Sequence, residues 1–275
     1  MLVQFIISGA LVGFLVGATG VGGGSLMTPL LTLFFGVPAQ VAVGTDLLFA
    51  SITKTSGAIS YARRGGIPWR IVLRLAAGSL PAAVGTLAVL NAWHPDEARF
   101  SGALRPILGG ALLLTAGALL LRDQLLQFSR RLSAPADLLA GATAGGPPPA
   151  LGSPAWQGRP GQTVAVGALI GTLVTLTSVG AGAIGVVALF LLYPMLAAQK
   201  LVGADIVHAV PLTLIAGLGH AALGTVDWAM LVGLLLGSLP AIHLGAALAS
   251  RLAEDALRKA LALMLVLVAL RLLLA

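Results

Sequence analysis

Apolar runs follow one another along the whole chain, separated by short polar or glycine-rich breaks. Most of the runs are close to the length of about 20 residues that crosses a bilayer as a helix. They are continuous rather than alternating, which favours helices over the strands of a membrane barrel. The pattern therefore predicts an all-α membrane protein with about eight to ten helical segments. The predicted segments are 2–19, 25–36, 40–62, 70–92, 102–122, 163–178, 181–193, 199–222, 227–249 and 255–274.

Composition agrees with a chain that lies mostly in lipid. Hydrophobic residues make up 58% of the sequence and charged residues 9%, whereas soluble domains carry about 25% charged residues. The net charge is +7, but the basic residues sit in short loops between apolar runs, which is typical of membrane orientation rather than of nucleic-acid binding. The chain has no cysteine and no enzyme or nucleotide-binding motif. We therefore expect no enzymatic activity, no cofactor and no metal site.

One hydrophilic stretch, 123–162, divides the chain. It begins with RDQLLQFSRRLSAPADLL, which predicts a short interfacial helix, and ends in GGPPPALGSPAWQGRPG, a Pro/Gly-rich linker. The sequence thus predicts membrane repeat 1 at 1–122, a cytoplasmic linker at 123–162 and membrane repeat 2 at 163–275.

The two halves repeat each other. VGTD at 43–46 returns as VGAD at 202–205, and GSLP at 78–81 returns unchanged at 237–240. TGVGGG at 19–24 aligns with TSVGAG at 177–182. Several matches at nearly one offset indicate a duplicated unit.

The positions of the basic residues predict that the second copy is inverted. If each half crosses the membrane four times, the basic residues other than Lys54 divide nine to six between the two sides. If the short segments also cross, each half makes five passes and the division becomes twelve to three. Cytoplasmic loops accumulate Lys and Arg, so five passes and two inverted repeats are favoured, as in many secondary transporters.

Each half carries a glycine-rich break that predicts a broken or re-entrant helix. Unwound backbone inside a membrane must line a cavity or be buried in protein, and the helix that follows points free N–H groups at the break, which attracts anions. The alternative is that these glycines only permit close helix packing. The predicted substrate-binding residues are Gly20, Gly22, Gly23, Gly24, Ser25, Thr45, Lys54, Thr177, Ser178, Gly180 and Gly182.

Asp46, Lys54, Asp205 and His208 lie within predicted membrane segments, where ionisable groups are costly and typically functional. Asp46 and Asp205 are equivalent in the two repeats, and with His208 they are predicted to carry a coupled proton. Two alternatives stay open: the aspartates could be helix N-caps, and Lys54 could pair with Asp46 or reach the interface rather than bind substrate. His220 is predicted to lie at a segment end, in an interfacial role.

The combined motifs resemble the TauE/SafE family of membrane proteins, also called the sulfite exporter or TSUP family. The resemblance rests on GATGVGGGSLMTPLL, on AVGTDLLFASITKTSGAISYARRGGIPWRIVLRLAAGSLPA and on the second copy, LVGADIVHAVPLTLIAGLGHAALGTVDWAMLVGLLLGSLPA. It implies transport of small, often sulfur-containing anions such as sulfite or sulfonates across the bacterial inner membrane. Many family members carry a hydroxyl or amide residue where Asp46 and Asp205 stand here, which points to a different coupling in this chain.

The sequence therefore predicts a multi-pass secondary transporter of a small anion, which could be coupled to protons. A passive anion channel and cation or metal transport through the Asp46/Asp205 pair are the alternatives. Glycine-rich faces such as LGGALLL permit a homodimer.

Overall fold

The computed structural model is helical over most of the residues it describes, which are 2–19, 24–93, 102, 104–121, 124, 160–180, 182–194, 196–248 and 254–274. Most of the predicted linker and all but one residue of the predicted interfacial helix lie outside these ranges. The helices are α1 (Leu2–Thr19), α2 (Gly24–Phe34), α3 (Ala39–Arg64), α4 (Trp69–Trp93), α5 (Leu104–Leu121), α6 (Pro160–Thr177), α7 (Ala183–Leu192), α8 (Ala198–Ala222), α9 (Trp228–Leu248) and α10 (Glu254–Leu274).

Each predicted segment corresponds to one of these helices, with ends that differ by no more than a few residues. The largest shift at a helix start is in α6, which begins at Pro160 rather than at residue 163. Proline suits this first position because the missing N–H would have no partner inside the helix. The two segments that were too short for a straight crossing are α2 and α7, so both halves contain the predicted short helix after a break.

The polarity of the described residues is that of a membrane protein. Five helices (α4, α5, α6, α8 and α9) are long and apolar enough to cross a bilayer. Large apolar side chains project outward at helical spacing, as Val3, Ile7 and Leu11 do on α1, whereas charged Asp46 and Lys54 are buried on α3. Helix α3 is also long enough to cross, and it packs against other helices, which shield its buried Asp46 and Lys54 from lipid.

The two halves have an exchanged packing, in which the first helix of each half lies against a helix of the other half. Helix α1 of the first half packs along α9 of the second, and α6 of the second packs along α4 of the first. Glycines bring each pair together: Gly13 lies against Ser238, and Gly171 lies against Ser79 at the equivalent position. Since both interfaces use corresponding residues, the contacts follow a pseudo-twofold relation between the repeats. Close helix approach at small residues is typical of membrane interiors.

The central pair, α3 and α8, runs antiparallel. Gly44 lies against His220 near one end of the pair, and Tyr61 lies against Gly203 near the other. These two contacts are equivalent under the repeat, so the helices are related by an axis through the middle of the pair. In contrast, α1 and α9 run parallel, as Gly9 meets Leu234 and Gly13 meets Ser238. An inverted repeat with five passes per half would place these helices in the same directions.

Two glycines of α4 give a matched test of this packing. A Cβ at Gly78 would overlap the backbone of Val164 on α6, whereas a Cβ at Gly85 meets open space. We expect Gly78→Ala to lower the stability of the detergent-solubilised protein by about 1–3 kcal/mol, since overpacking forces the helices apart. Gly85→Ala should leave it nearly unchanged. Thermal unfolding followed by size-exclusion chromatography measures both, and equal melting of the two variants would contradict the exchanged packing.

Candidate functional site

The break in the second half is a buried turn between α6 and α7. Ser178 has φ 58°, a conformation that non-glycine residues rarely adopt, and Gly180 and Gly182 have φ 117° and 140°. The hydroxyl of Thr177 donates to the Leu173 carbonyl at 2.7 Å and accepts the Val179 N–H at 3.1 Å, so it closes the end of α6. Strained backbone of this kind is typical of functional sites.

The break in the first half is described only from its far side. Gly20, Gly22 and Gly23 lie outside the described residues, and Gly24 and Ser25 form the start of α2. The donors near this helix start reach a carboxylate of the protein itself. One turn into α2, the Thr28 N–H and hydroxyl donate to Asp46 Oδ2 at 3.2 and 2.6 Å.

Asp46 lies between residues of the two repeats, Thr28 of α2 and Ser178 of the break after α6. Its side chain is completely buried on α3, held by Thr28 on one side. The hydroxyl of Ser178, from the break in the other repeat, lies next to the same carboxyl group. That approach falls short of hydrogen-bond geometry, and both Asp46 Oδ1 and Ser178 Oγ lack a hydrogen-bond partner among the described residues. The carboxyl group therefore has an unused acceptor oxygen beside a hydroxyl that is also unused.

Asp205 has a different environment from its repeat mate. It is buried on α8, and its Oδ1 lies so close to Gly185 of α7 that a Cβ at this glycine would overlap it. Its Oδ2 has no hydrogen-bond partner in the described part of the chain. The N-terminal part of the short helix thus lies next to an aspartate in both halves, through hydrogen bonds from Thr28 in one and through a close approach of Gly185 in the other.

Lys54 and His208 complete the buried cluster. Lys54 is 8% exposed and lies within electrostatic range of both aspartates. It also interacts with His208, whose Nε2 lies 2.7 Å from the hydroxyl of Ser79 on α4. Helices α3 and α8 therefore bring two acids, one base and an imidazole together inside the protein, and α4 adds the hydroxyl of Ser79.

The structure decides several of the open alternatives. The aspartates are not N-caps of their own helices, because Asp46 and Asp205 lie well inside α3 and α8, whose N-cap residues are Pro38 and Ala197. His220 was expected at an interface, but it is buried: its Nδ1 lies 2.9 Å from Thr225 Oγ1 and its Nε2 3.0 Å from the Thr175 carbonyl. It fastens the end of α8 to α6.

Thr45 binds protein rather than facing the aspartates. Its hydroxyl accepts the Asp227 N–H at 3.0 Å, which ties α3 to the start of α9 in the other repeat. The neighbouring residue in sequence, Asp46, carries the site instead.

Three residues of the cluster were not identified from the sequence. Ser79 belongs to the repeated GSLP motif, which revealed the duplication but was not considered as part of a site. Thr28 could have been found as the hydroxyl residue one turn after the glycine run. Gly185 gives no sequence signal, because only the fold brings it against Asp205.

The charge of the cluster limits what it can bind. With both aspartates ionised and Lys54 protonated, the buried group carries one net negative charge if His208 is neutral. Buried unpaired charge is strongly unfavourable, so a second negative charge from a substrate requires protons on the carboxyl groups or a cation. The arrangement is therefore suited to binding a solute together with a proton or another cation.

Comparisons with known proteins agree with a transport role. The family described as "Sulfite exporter TauE/SafE" matches residues 5–272. A probable membrane transporter protein of Bacillus subtilis (YjnA) is 36% identical over 91% of each chain, and another from that organism (YdhB) is 27% identical over 91% of each. A probable membrane transporter protein of Xylella fastidiosa is 28% identical over 92% of this chain and 87% of its own.

No solved structure matches the chain. The family match covers almost the whole sequence and includes both repeats, and the apolar helices agree with it. The chain therefore belongs to the TauE/SafE family and is a multi-pass membrane transporter.

Proposed function

We propose that the protein is a secondary transporter that carries a small anion across the inner membrane together with protons. The substrate class is a sulfur-containing anion such as sulfite or a sulfonate. The observation that carries the proposal is the buried cluster of Asp46, Asp205 and Lys54 beside the helix breaks. The antiparallel α3 and α8 support an inverted repeat, with the 123–162 linker on the cytoplasmic side.

The proposed mechanism follows from charge balance. In the empty protein, Lys54 is compensated by the aspartates. An entering anion competes with those carboxylates for the ammonium group. A carboxylate displaced from its only cation is disfavoured in a buried site, so it takes up a proton. Anion binding and protonation then favour each other, which is the reciprocal coupling that a symporter needs.

The N–H groups at the break add a second attraction for an anion. The helix after each break presents the positive end of its dipole to the site. In the first half the Thr28 N–H and hydroxyl are held by Asp46. On protonation this carboxyl binds these donors less strongly, which makes them available to the substrate.

Flux through the purified protein in proteoliposomes tests the proposal. A radiolabelled sulfonate is the better probe, because sulfite becomes membrane-permeant sulfur dioxide in acid. An imposed pH gradient should drive accumulation of the sulfonate, reversal of the gradient should reverse its direction, and unlabelled sulfite should compete. Flux no greater than in protein-free liposomes, for every sulfur anion tried, would refute the substrate class.

Cation transport is the second candidate. It is favoured by the buried carboxylate oxygens Asp46 Oδ1 and Asp205 Oδ2, neither of which has a hydrogen-bond partner in the described residues. Carboxylate oxygens are good ligands for hard cations. Saturable uptake of a divalent metal in the same liposomes, without a sulfonate, would favour this candidate. Large single-channel currents in planar bilayers would instead indicate a passive channel.

A further inference from the structure

The buried cluster is duplicated except for its lysine. Asp46 corresponds to Asp205, and Ser79 corresponds to Ser238, which is also buried. Lys54 corresponds to Thr213, whose hydroxyl donates to the Ala209 carbonyl within α8. Two equivalent carboxylates therefore share one ammonium group that belongs to only one of the repeats.

Lys54 lies near the middle of α3, where it is close to the aspartates of both repeats. It lies between the equivalent contacts Gly44–His220 and Tyr61–Gly203, near the middle of the antiparallel pair. From there it lies within electrostatic range of both carboxylates. Asp46 already accepts two hydrogen bonds from Thr28, whereas Asp205 Oδ2 has no hydrogen-bond partner in the described residues, so Asp205 is the acid that depends more on the ammonium group here. The two aspartates also differ in their other contacts: Asp46 is bonded to Thr28, whereas Asp205 lies directly against Gly185.

In a transporter built from inverted repeats, alternating access moves one repeat against the other around a fixed site, and an exchange of conformation between the two repeats would convert one access state into the other. The surroundings that Asp205 has here would then belong to Asp46 in the alternate state, and Asp46 would give up its present hydrogen bonds. A buried ammonium follows the less compensated carboxylate, since separation of buried opposite charges is costly.

We propose that Lys54 exchanges its main carboxylate partner, from Asp205 in this conformation to Asp46 in the alternate one, and that its presence in only one repeat sets which state the resting protein prefers. This inference rests on the proposed function in assuming alternating access between inverted repeats, and it holds for any substrate. A ligand or group shifts a two-state equilibrium only through its different free energy in the two states. Lys54 supplies such a difference because its two partners are not equivalent in their contacts.

The proposal predicts the effect of moving the lysine. The double variant Lys54→Thr, Thr213→Lys places the ammonium at the equivalent position of the other repeat. The preferred state should then be the opposite one. Lys54→Gln removes the ammonium from both positions, so the preference between the states should become small.

Hydrogen exchange followed by mass spectrometry measures which of the two access states is preferred, and it needs no substrate. The segments 60–68 and 219–227 are equivalent, connect α3 to α4 and α8 to α9, and lie at opposite ends of the antiparallel pair. The purified full-length protein in nanodiscs is compared with the two variants. The control is Lys259→Gln, which removes the same charge from an exposed position on α10.

The measured quantity is the ratio of exchange rates of the two segments, divided by the ratio in unfolded protein. In the wild type and in Lys259→Gln this ratio should differ from one in the same direction. In Lys54→Gln it should approach about one, and in the double variant it should cross to the other side. A ratio that stays at the wild-type value in Lys54→Gln overturns the proposal, and this variant decides the matter if the double variant does not fold. Because no transport is measured, the result is independent of the flux assay that tests the proposed function.

Discussion

Replacing Asp205 with asparagine is expected to abolish proton-driven accumulation while substrate exchange across the membrane continues. Asparagine has the shape of a protonated aspartate but cannot release a proton, so the coupled step is blocked. Lys54 also loses one of its two nearby carboxylates, and removal of one member of a buried ion pair costs about 3–5 kcal/mol of stability. We expect net uptake driven by a pH gradient to fall to the level of protein-free liposomes, because the group that would carry the coupled proton is gone. Asp46→Asn should have the same direction of effect.

The measurement compares two assays on the same proteoliposomes, net uptake under a pH gradient and exchange of labelled for unlabelled sulfonate. Asp227→Asn is the matched control, because this acid is exposed and caps α9 by accepting the Met230 N–H, which asparagine also does. Gradient-driven uptake at the wild-type level in both Asp205→Asn and Asp46→Asn would show that neither carboxylate carries the coupled proton.

Replacing Gly185 with alanine is expected to inactivate the transporter through a single methyl group. The added Cβ would overlap Asp205 Oδ1, so either the carboxylate or helix α7 must move. The overlap should reduce stability by about 1–3 kcal/mol, as overpacking of a well-packed interior does. It should also displace Asp205 from Lys54, and transport should be lost.

A double variant separates these two effects. Gly185→Ala with Asp205→Ala removes the overlapping oxygen, so thermal stability in detergent should return toward that of Asp205→Ala alone, while transport stays absent. Gly117→Ala, where a Cβ meets open space, controls for the substitution itself. Wild-type flux in Gly185→Ala would contradict the contact between α7 and Asp205 as a feature of the working protein.

The helices were predictable because the information for them is local. The length of an apolar run sets whether it can cross a bilayer, and this placed α3 and α8 with small errors at their ends. The short segments α2 and α7 followed from the glycine breaks before them. Repeated motifs such as GSLP showed the duplication directly, because they need no knowledge of contacts.

The acids and the base of the candidate site were named from the sequence, but the arrangement of the buried cluster was not. Asp46, Asp205 and Lys54 were recognisable since ionisable residues are costly inside apolar segments. The interpretation of the aspartates as N-caps was wrong, because the sequence motif before each one resembles a helix start although the helix begins a turn or more earlier. The role of Thr45 in tying α3 to α9 had no local signal, since its partner lies 182 residues away.

The sequence by itself determined that this protein is a duplicated bundle of membrane helices with buried charge in each half, because run length, repetition and the cost of charge in lipid are properties of the primary structure. Only the tertiary structure decided how the halves exchange helices and which partner each buried polar group has. Ser79 and His208 are 129 residues apart in the chain, and Gly185 meets Asp205 only because α7 packs on α8. Such pairings depend on the close approach of separate helices, which no local pattern of residues specifies.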